Sequence, residues 1–272
     1  MKAMLAENWD SRVSIHDYIS DDRYIMEQKL DGHRVLIEVK GGLVVEVYER
    51  NGRRSQHYRR LTEPDWNTNF RPFASKSFIL DGELINDTLH VFDMPVLEGV
   101  TQPDASHEKR KATLDKLFEV GNFNEHLQLV ETARTKQTKT QLMVSCHNHG
   151  AEGVMIKDSG APYTQGRTRH MLKVKYTKDG DFVVTRTNVN GKTNASLGAY
   201  DDAGNLVEVG RCSLIGKEDI ETGDVVEVRY LYASDGMRLV QPRIKFKRED
   251  KHPTECLLSQ IKPSDTKTVV TL

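Results

Sequence analysis

The sequence predicts an α+β chain of two domains, a larger one that mixes strands with helices and a smaller one built from strands. Strand-type and helix-type apolar patterns both occur before residue 178, whereas short strand-type runs follow it. The change falls at Lys178-Asp179-Gly180, whose turn-forming residues suit a linker. We therefore expect domains at residues 1–178 and 179–272.

The composition is that of a globular protein with no overall attraction to polyanions. The chain has 39 Lys and Arg against 40 Asp and Glu, so any binding to nucleic acid must come from local patches. No stretch has the length of a membrane span or the apolar core of a signal peptide. Three distant cysteines argue against a disulfide framework and a structural zinc site. We expect a cytoplasmic monomer without membrane contact.

Local patterns predict the elements of the first domain in chain order. Residues up to about 20 are expected to be helical or irregular. Strands are expected at 24–30, 35–40, 43–48, 78–80, 89–92, 154–157 and 172–175. The runs around Gly41-Gly42 form a hairpin, and Asp81-Gly82 and Asp93-Met94-Pro95 end their strands. Helices are expected at 106–118 and 140–149.

The second domain is expected to be a small barrel of the oligonucleotide-binding (OB) type. Its short apolar runs are separated by turn-forming segments at 201–205 and 233–236. Strands are expected at 182–186, 197–200, 206–209, 225–231 and 238–240. Short strands with such turns are typical of this barrel.

The segment Lys29-Leu30-Asp31-Gly32-His33-Arg34 joins two apolar runs. It places an amine, a carboxylate and a guanidinium within one turn, which suits a lysine that attacks phosphorus. A solvated surface turn can have the same residues, so the segment alone does not decide between the two interpretations.

Later segments supply what such a lysine needs for chemistry at the α-phosphate of a nucleoside triphosphate. A nucleophilic amine must be neutral, which the nearby cations Arg34, Lys157 and Lys173 would favour. Carboxylates such as Glu83 and Glu152 are ligands for Mg²⁺. Lys173 and Lys175 alternate with apolar residues, so both face one side of a strand and could stabilise the phosphoryl transition state.

In this order the segments resemble the motifs of covalent nucleotidyltransferases that form lysyl-AMP or lysyl-GMP. They are Lys29-Leu30-Asp31-Gly32-His33-Arg34, Asp81-Gly82-Glu83, Phe92-Asp93, Glu152-Gly153-Val154-Met155-Ile156-Lys157 and Leu172-Lys173-Val174-Lys175. The segment 242–253 is similar to the last motif of ATP-dependent DNA ligases. The resemblance implies a minimal two-domain ligase, with a nucleotidyltransferase (ATP-grasp-like) domain of antiparallel sheets and helices followed by an OB-fold barrel.

The resemblance also implies roles for individual residues. Lys29 would be the adenylated nucleophile. The nucleotide ligands would be Glu27, Arg34, Arg50, Glu83, Phe92, Lys157, Lys173, Lys175, Arg248 and Lys251. Phe92 would stack on adenine, Arg34 and Arg50 would bind first the ribose side and then the nick phosphate, and Glu83 and Glu152 would hold Mg²⁺ or Mn²⁺. Arg248 and Lys251 would orient pyrophosphate, which requires the barrel to close over the nucleotide.

The activity implied is ATP-dependent sealing of 5′-phosphate/3′-hydroxyl nicks in duplex DNA through lysyl-AMP and DNA-adenylate. Two alternatives share these residues: an RNA ligase or capping-type enzyme, and a catalytically silent nucleic-acid-binding protein. We expect no added N-terminal DNA-binding domain, so DNA contacts would come from residues 50–60, 167–178 and 245–251. Such contacts to phosphate would be independent of sequence and sensitive to salt.

Overall fold

The computed structural model describes residues 1–98, 100–101, 105–217, 219–264, 266 and 268–271. The chain forms two compact units. Unit 1 contains Met1–Asn148, Gly153–Val174 and Val269–Leu272, and unit 2 contains His149–Glu152 and Lys175–Thr268. Strands predominate and helices are fewer, so the predicted α+β class is confirmed.

The elements of unit 1 are strands and mostly short helices. The strands are β1 (Met4–Asn8), β2 (Tyr24–Gln28), β3 (His33–Lys40), β4 (Leu43–Glu49), β5 (Ser77–Ile85), β6 (Thr88–Leu97), β7 (Val100–Thr101), β8 (Leu127–Leu129), β9 (Gly153–Asp158) and β10 (Gly166–Lys175). The helices are α1 (Ile15–Ser20), α2 (Tyr58–Leu61), α3 (Pro64–Thr68), α4 (His107–Val120) and α5 (Lys136–Asn148). The Ser106 hydroxyl caps α4 by accepting from the Lys109 N–H.

Unit 1 has two sheets. One has the strand order β4-β3-β5-β6-β7, with β8 beside β6, and the other has the order β1-β10-β9-β2. The resemblance implied antiparallel sheets, but β1 pairs with β10 and β6 with β8 in parallel. The larger sheet buries one face because Val35, Ile37 and Val39 alternate along β3 and pack in the cluster that contains Trp66 and Phe70.

The predicted nucleophile lies where the chain passes from one sheet to the other. Residues 29–32 connect β2 of the smaller sheet to β3 of the larger one. The Lys29 N–H donates to the Gly153 carbonyl at 2.9 Å, so the connection begins as a continuation of the β2–β9 ladder. Both ends of this short segment are therefore held by sheet hydrogen bonds.

Three predictions of local structure in unit 1 are wrong, each because distant pairing outweighed a local signal. Residues 4–8 form a strand, where a helical or irregular segment was expected, because β10 supplies a partner. Asp81-Gly82 does not end a strand but lies inside β5, where register shifts accommodate the motif between β3 and β6. Asp93-Met94-Pro95 lies inside β6.

Unit 2 is built around one antiparallel sheet. Its strands are β11 (Lys178–Thr187), β12 (Asn194–Tyr200), β13 (Leu206–Ser213), β14 (Val225–Tyr230), β15 (Tyr232–Ala233), β16 (Leu239–Val240) and β17 (Arg243–Arg248). Five of them have the order β13-β12-β11-β14-β17, and within the described part of the unit this sheet is open. Phe182, Leu197 and Val226 are fully buried in its core.

The predicted linker Lys178-Asp179-Gly180 is the beginning of β11, because these residues pair with Tyr230, Arg229 and Val228 of β14. The ladder satisfies backbone groups that a linker would leave to water.

Among the described helices, none is both long and apolar enough to cross a membrane.

Candidate active site

A cavity of about 220 Å³ lies in unit 1 beside the connection that carries Lys29. Eight of the residues predicted to act on the nucleotide line it: Glu27, Lys29, Arg34, Arg50, Glu83, Phe92, Lys157 and Lys173. They come from strands of both sheets and from segments next to these strands. Met155 and Met171 add apolar surface to the wall. The structure thus collects cationic, acidic, aromatic and apolar side chains around one opening.

Arg34 is held in the cavity wall by a buried carboxylate. Its Nε and Nη2 donate to Asp81 Oδ1 and Oδ2 at 2.9 and 2.7 Å. Tyr163 donates its hydroxyl to the same Asp81 Oδ2 at 2.7 Å. Burial alone would lower the pKa of Arg34, but the charge and hydrogen bonds of Asp81 raise it. The guanidinium is therefore charged, bidentate and fixed in orientation.

A buried acid–base pair forms another part of the wall. Glu27 lies near the end of β2 and Lys157 lies on the paired strand β9, and their side chains form an ion pair. Thr132 also donates its hydroxyl to Glu27 Oε1 at 3.0 Å. The Lys157 amine lies 4.7 Å from the centroid of the Phe92 ring. Since an ammonium is attracted to an aromatic face, this contact orients Phe92 within the cavity.

Glu83 faces the connection from β5. The Gly32 N–H donates to Glu83 Oε1 at 3.2 Å. Burial raises the pKa of Glu83 to about 7, although the charges of Arg34 and Lys29 act in the opposite direction. The carboxyl group therefore changes its charge near neutral pH, and a cation bound beside it would favour the ionised form.

Gly32 is required by the close approach of this connection to β5. A Cβ atom at Gly32 would lie 2.4 Å from the Leu84 carbonyl oxygen, which is too close for any side chain. This close approach explains why residue 32 is a glycine. From the sequence alone, Gly32 was assigned only to the shape of the turn.

A second buried ion pair supports the strand next to Phe92. Arg110 of α4 donates to both oxygens of Asp93, at 2.8 and 3.0 Å, and is fully buried. Burial would raise the pKa of Asp93, but the charges of His107 and Arg110 hold it below its usual value. Burial lowers the pKa of the neighbouring His107 to about 4. Helix α4 is thereby tied to the strand that presents Phe92.

The other predicted site residues belong to unit 2. Lys175 Nζ lies 3.1 Å from Glu152 Oε1, and both residues are in this unit. Arg248 and Lys251 both contact Asp181, at 3.2 and 2.8 Å, and Arg248 also contacts Asp250 at 2.7 Å. Asp181 and Asp250 thus compensate the charges of the two residues predicted to orient pyrophosphate.

Among the described residues, no group of three or more His, Cys, Asp or Glu side chains is arranged to hold a metal ion. Mg²⁺ commonly keeps several waters and is bound by one or two carboxylates together with substrate phosphates. A single carboxylate facing the cavity, such as Glu83, fits that kind of binding but not a site made entirely of protein ligands.

Sequence reasoning missed Asp81, Tyr163 and Thr132 as supporting residues. Asp81 and Glu83 are two positions apart in a strand-like run, and recognition of one continuous strand would have indicated that both matter. No local pattern in the sequence indicates a role for Thr132, because its hydrogen-bond partner Glu27 is 105 positions away.

The family of ATP-dependent DNA ligase domains matches residues 3–88 and 84–175 of this chain, well over half of its length. The chain therefore belongs to this family. A DNA ligase from Nanoarchaeum equitans (strain Kin4-M) is 31% identical over 174 residues, which cover 57% of this chain and 31% of the relative. The chain spans about a quarter to a third of the length of the curated DNA ligases it matches.

Solved structures share the fold at lower identity. The structure called Pmar-Lig_Pre has a TM-score of 0.68 and 23% identity, and the match covers 92% of this chain and 68% of that one. A structure from a study of minimal-scaffold DNA binding by Lig E DNA ligases has a TM-score of 0.64 and 18% identity, with 91% and 99% covered. At these identities the likeness describes the fold.

Proposed function

We propose that this chain seals nicks in duplex DNA with ATP as the source of energy. The observation that carries the proposal is the cavity in which Lys29 lies with Arg34, Glu83, Phe92 and Lys157. Such a set can hold a base, a ribose and phosphates beside an amine nucleophile. Membership of the ligase family supports the choice of this reaction.

The first step is adenylation of Lys29. Its neutral Nζ attacks the α-phosphorus of ATP, a nitrogen–phosphorus bond forms, and the bond to pyrophosphate breaks. The cations around the cavity stabilise the negative charge that spreads over the phosphoryl oxygens in the transition state. Phe92, oriented by Lys157, stacks on adenine, and Glu27 contacts the base.

The next two steps transfer the nucleotide and join the strands. An oxygen of the 5′-phosphate at the nick attacks the lysyl-AMP phosphorus and releases Lys29. The 3′-hydroxyl then attacks the activated 5′-phosphate, a phosphodiester forms, and AMP leaves. Arg34 and Arg50 bind the ribose side of the nucleotide first and the nick phosphate afterwards.

The two structural units support a division of labour. We assign adenylation to residues 1–178. We assign an OB fold to residues 179–272, which supply Arg248 and Lys251 for orienting pyrophosphate. Lys173 and Lys175 contact the α-phosphate. Glu83 and Glu152 would hold Mg²⁺ or Mn²⁺, which would neutralise phosphate charge. The enzyme acts as a monomer on nicked DNA.

The test begins with the purified chain, ATP and Mg²⁺ in the absence of DNA. Mass spectrometry should detect one added AMP on the peptide that contains Lys29. The Lys29→Ala variant should acquire none and should not seal a nicked duplex. Sealing by Lys29→Ala would show that the lysyl-AMP mechanism is wrong.

Nucleotide and substrate choice separate the alternatives. Labelling by GTP but not ATP would indicate a capping-type enzyme, and joining of RNA nicks alone would indicate an RNA ligase. Binding of nicked DNA by a wild-type protein that forms no protein–AMP would indicate the silent class.

A further inference from the structure

The basic segment at residues 245–251 is predicted to contact DNA, but carboxylates already compensate its charges. In and beside β17, five cations contact five carboxylates within unit 2. The cations are Arg229, Lys245, Lys247, Arg248 and Lys251, and the carboxylates are Asp179, Asp181, Asp224, Glu227 and Asp250. The local charge is close to zero, so this surface offers little attraction to phosphate.

Elsewhere in unit 2 three arginines share one carboxylate. Arg186 of β11 lies 2.9 Å from Glu208 of β13, Arg211 of β13 lies 3.3 Å from it, and Arg238, just before β16, lies 3.6 Å from it. Within the described part of the chain, no other carboxylate forms an ion pair with any of the three. We call Arg186, Arg211 and Arg238 the arginine cluster. Together with Glu208, the cluster has a net charge of about two positive units.

The arginine cluster is accessible and ordered by its common partner. Its side chains are 63%, 45% and 55% exposed, whereas the Glu208 side chain is 24% exposed. Burial would raise the pKa of Glu208, but the hydrogen bond from Arg186 and the charges of Arg211 and Arg238 lower it. The ionised carboxylate thus gathers three guanidinium groups without burying them.

Two members of the arginine cluster lie in one row that runs across the strands of the sheet. Arg186 is opposite Ser196 of β12, and Ser196 is opposite Arg211. Because neighbouring strands are about 4.8 Å apart, the two arginine backbones are separated by about 10 Å. Guanidinium groups bind phosphate through planar, bidentate hydrogen bonds. A row of such groups suits a polymer that presents phosphates in series.

We propose that the arginine cluster is the surface of unit 2 that binds the phosphate backbone of duplex DNA, and that residues 245–251 contribute little to this binding. The inference rests on the proposed ligase function and specifies which face of the unit meets DNA. Contacts of this kind position the duplex without reading its sequence and weaken as salt rises.

The experiment compares two double variants of the full chain that remove equal positive charge. Arg186→Gln/Arg211→Gln changes the cluster, and Lys245→Gln/Lys247→Gln is the matched control. Affinity for a nicked duplex is measured between about 50 and 200 mM salt. We expect the slope of log affinity against log salt to become shallower by nearly 2 in the cluster variant, since each lost phosphate contact removes about 0.9. The control should keep the wild-type slope.

Protein–AMP formation without DNA distinguishes this inference from the proposed function. Both double variants should form protein–AMP at the wild-type rate, which also shows that they are folded. A cluster variant that binds nicked DNA with the wild-type affinity and slope would overturn the inference, as would an equal loss in the control. Absence of protein–AMP in the wild type would instead refute the proposed function.

Discussion

Asp81 accepts two hydrogen bonds from Arg34, at 2.9 and 2.7 Å, from a position that is fully buried in β5. Glu83, which lies opposite Arg34 in the β3–β5 ladder, is two residues from Asp81 along β5. Asp81 touches no surface of the cavity itself, yet it determines where the Arg34 guanidinium points. This arrangement makes Asp81 a positioning residue for the proposed nucleotide site.

The Asp81→Asn variant should adenylate Lys29 more slowly, on the order of 10- to 100-fold. The reason is that Arg34 loses one of its two hydrogen-bond acceptors and is no longer held in a fixed orientation. The measurement is the rate of protein–AMP formation at several ATP concentrations. Glu46→Gln is the matched control, since Glu46 also binds an arginine, Arg54, through two hydrogen bonds at 2.8 and 2.5 Å but lies outside the cavity. A wild-type rate in Asp81→Asn would contradict the positioning role.

The Gly32→Ala variant should lose most of its adenylation activity. The added methyl group would meet the Leu84 carbonyl oxygen at 2.4 Å and force the connection away from β5, separating the Gly32 N–H from Glu83. Gly160→Ala is the control, because a Cβ there would make only an ordinary contact of 3.5 Å with Asp158. Circular dichroism should show that both variants fold, and equal rates in the two would refute this explanation.

The Glu83→Gln variant should change how stability depends on pH. In the folded protein burial raises the pKa of Glu83 to about 7 from its ordinary value of 4.5. The folded state therefore holds the proton more tightly, so wild-type stability declines as pH rises from about 4.5 through 7. Glutamine has no charge to bury, and the variant should gain on the order of 1 to 3 kcal/mol relative to wild type at pH 8.

Urea unfolding of both proteins at pH 4.5 and pH 8, in metal-free buffer, measures this difference. The gain should be near zero at the lower pH, where the Glu83 carboxyl group is protonated in the folded wild type and about half protonated in the unfolded wild type. An identical difference in unfolding free energy at the two pH values would exclude a raised pKa at Glu83.

The Arg110→Ala variant should be destabilised by about 3 to 5 kcal/mol, because it leaves the Asp93 carboxylate buried without its partner. Arg134→Ala is the comparison, since Arg134 pairs with Glu108 at 3.2 Å on the surface, where both side chains are well exposed. That change should cost about 1 kcal/mol or less. Chemical unfolding at neutral pH measures both, and similar losses would contradict the importance of the buried pair.

Much of the local structure could be predicted from the sequence. The hairpin around Gly41-Gly42 and the helix that begins after Ser106 are present, because turn chemistry and capping act over a few residues. Residues that line the cavity, such as Lys29, Glu83 and Phe92, were predicted from the order of several segments and their resemblance to a family, because each segment alone is a weak signal.

The tertiary structure decided which charges are available and which are already compensated. The strand at residues 4–8, the placement of Asp81-Gly82 inside β5, and the contact between Thr132 and Glu27 all depend on partners far away in sequence. The same holds for the basic segment at 245–251, whose carboxylate partners lie mostly on other strands. A sequence shows which groups carry charge, but the net attraction of a surface depends on distances that only folding determines.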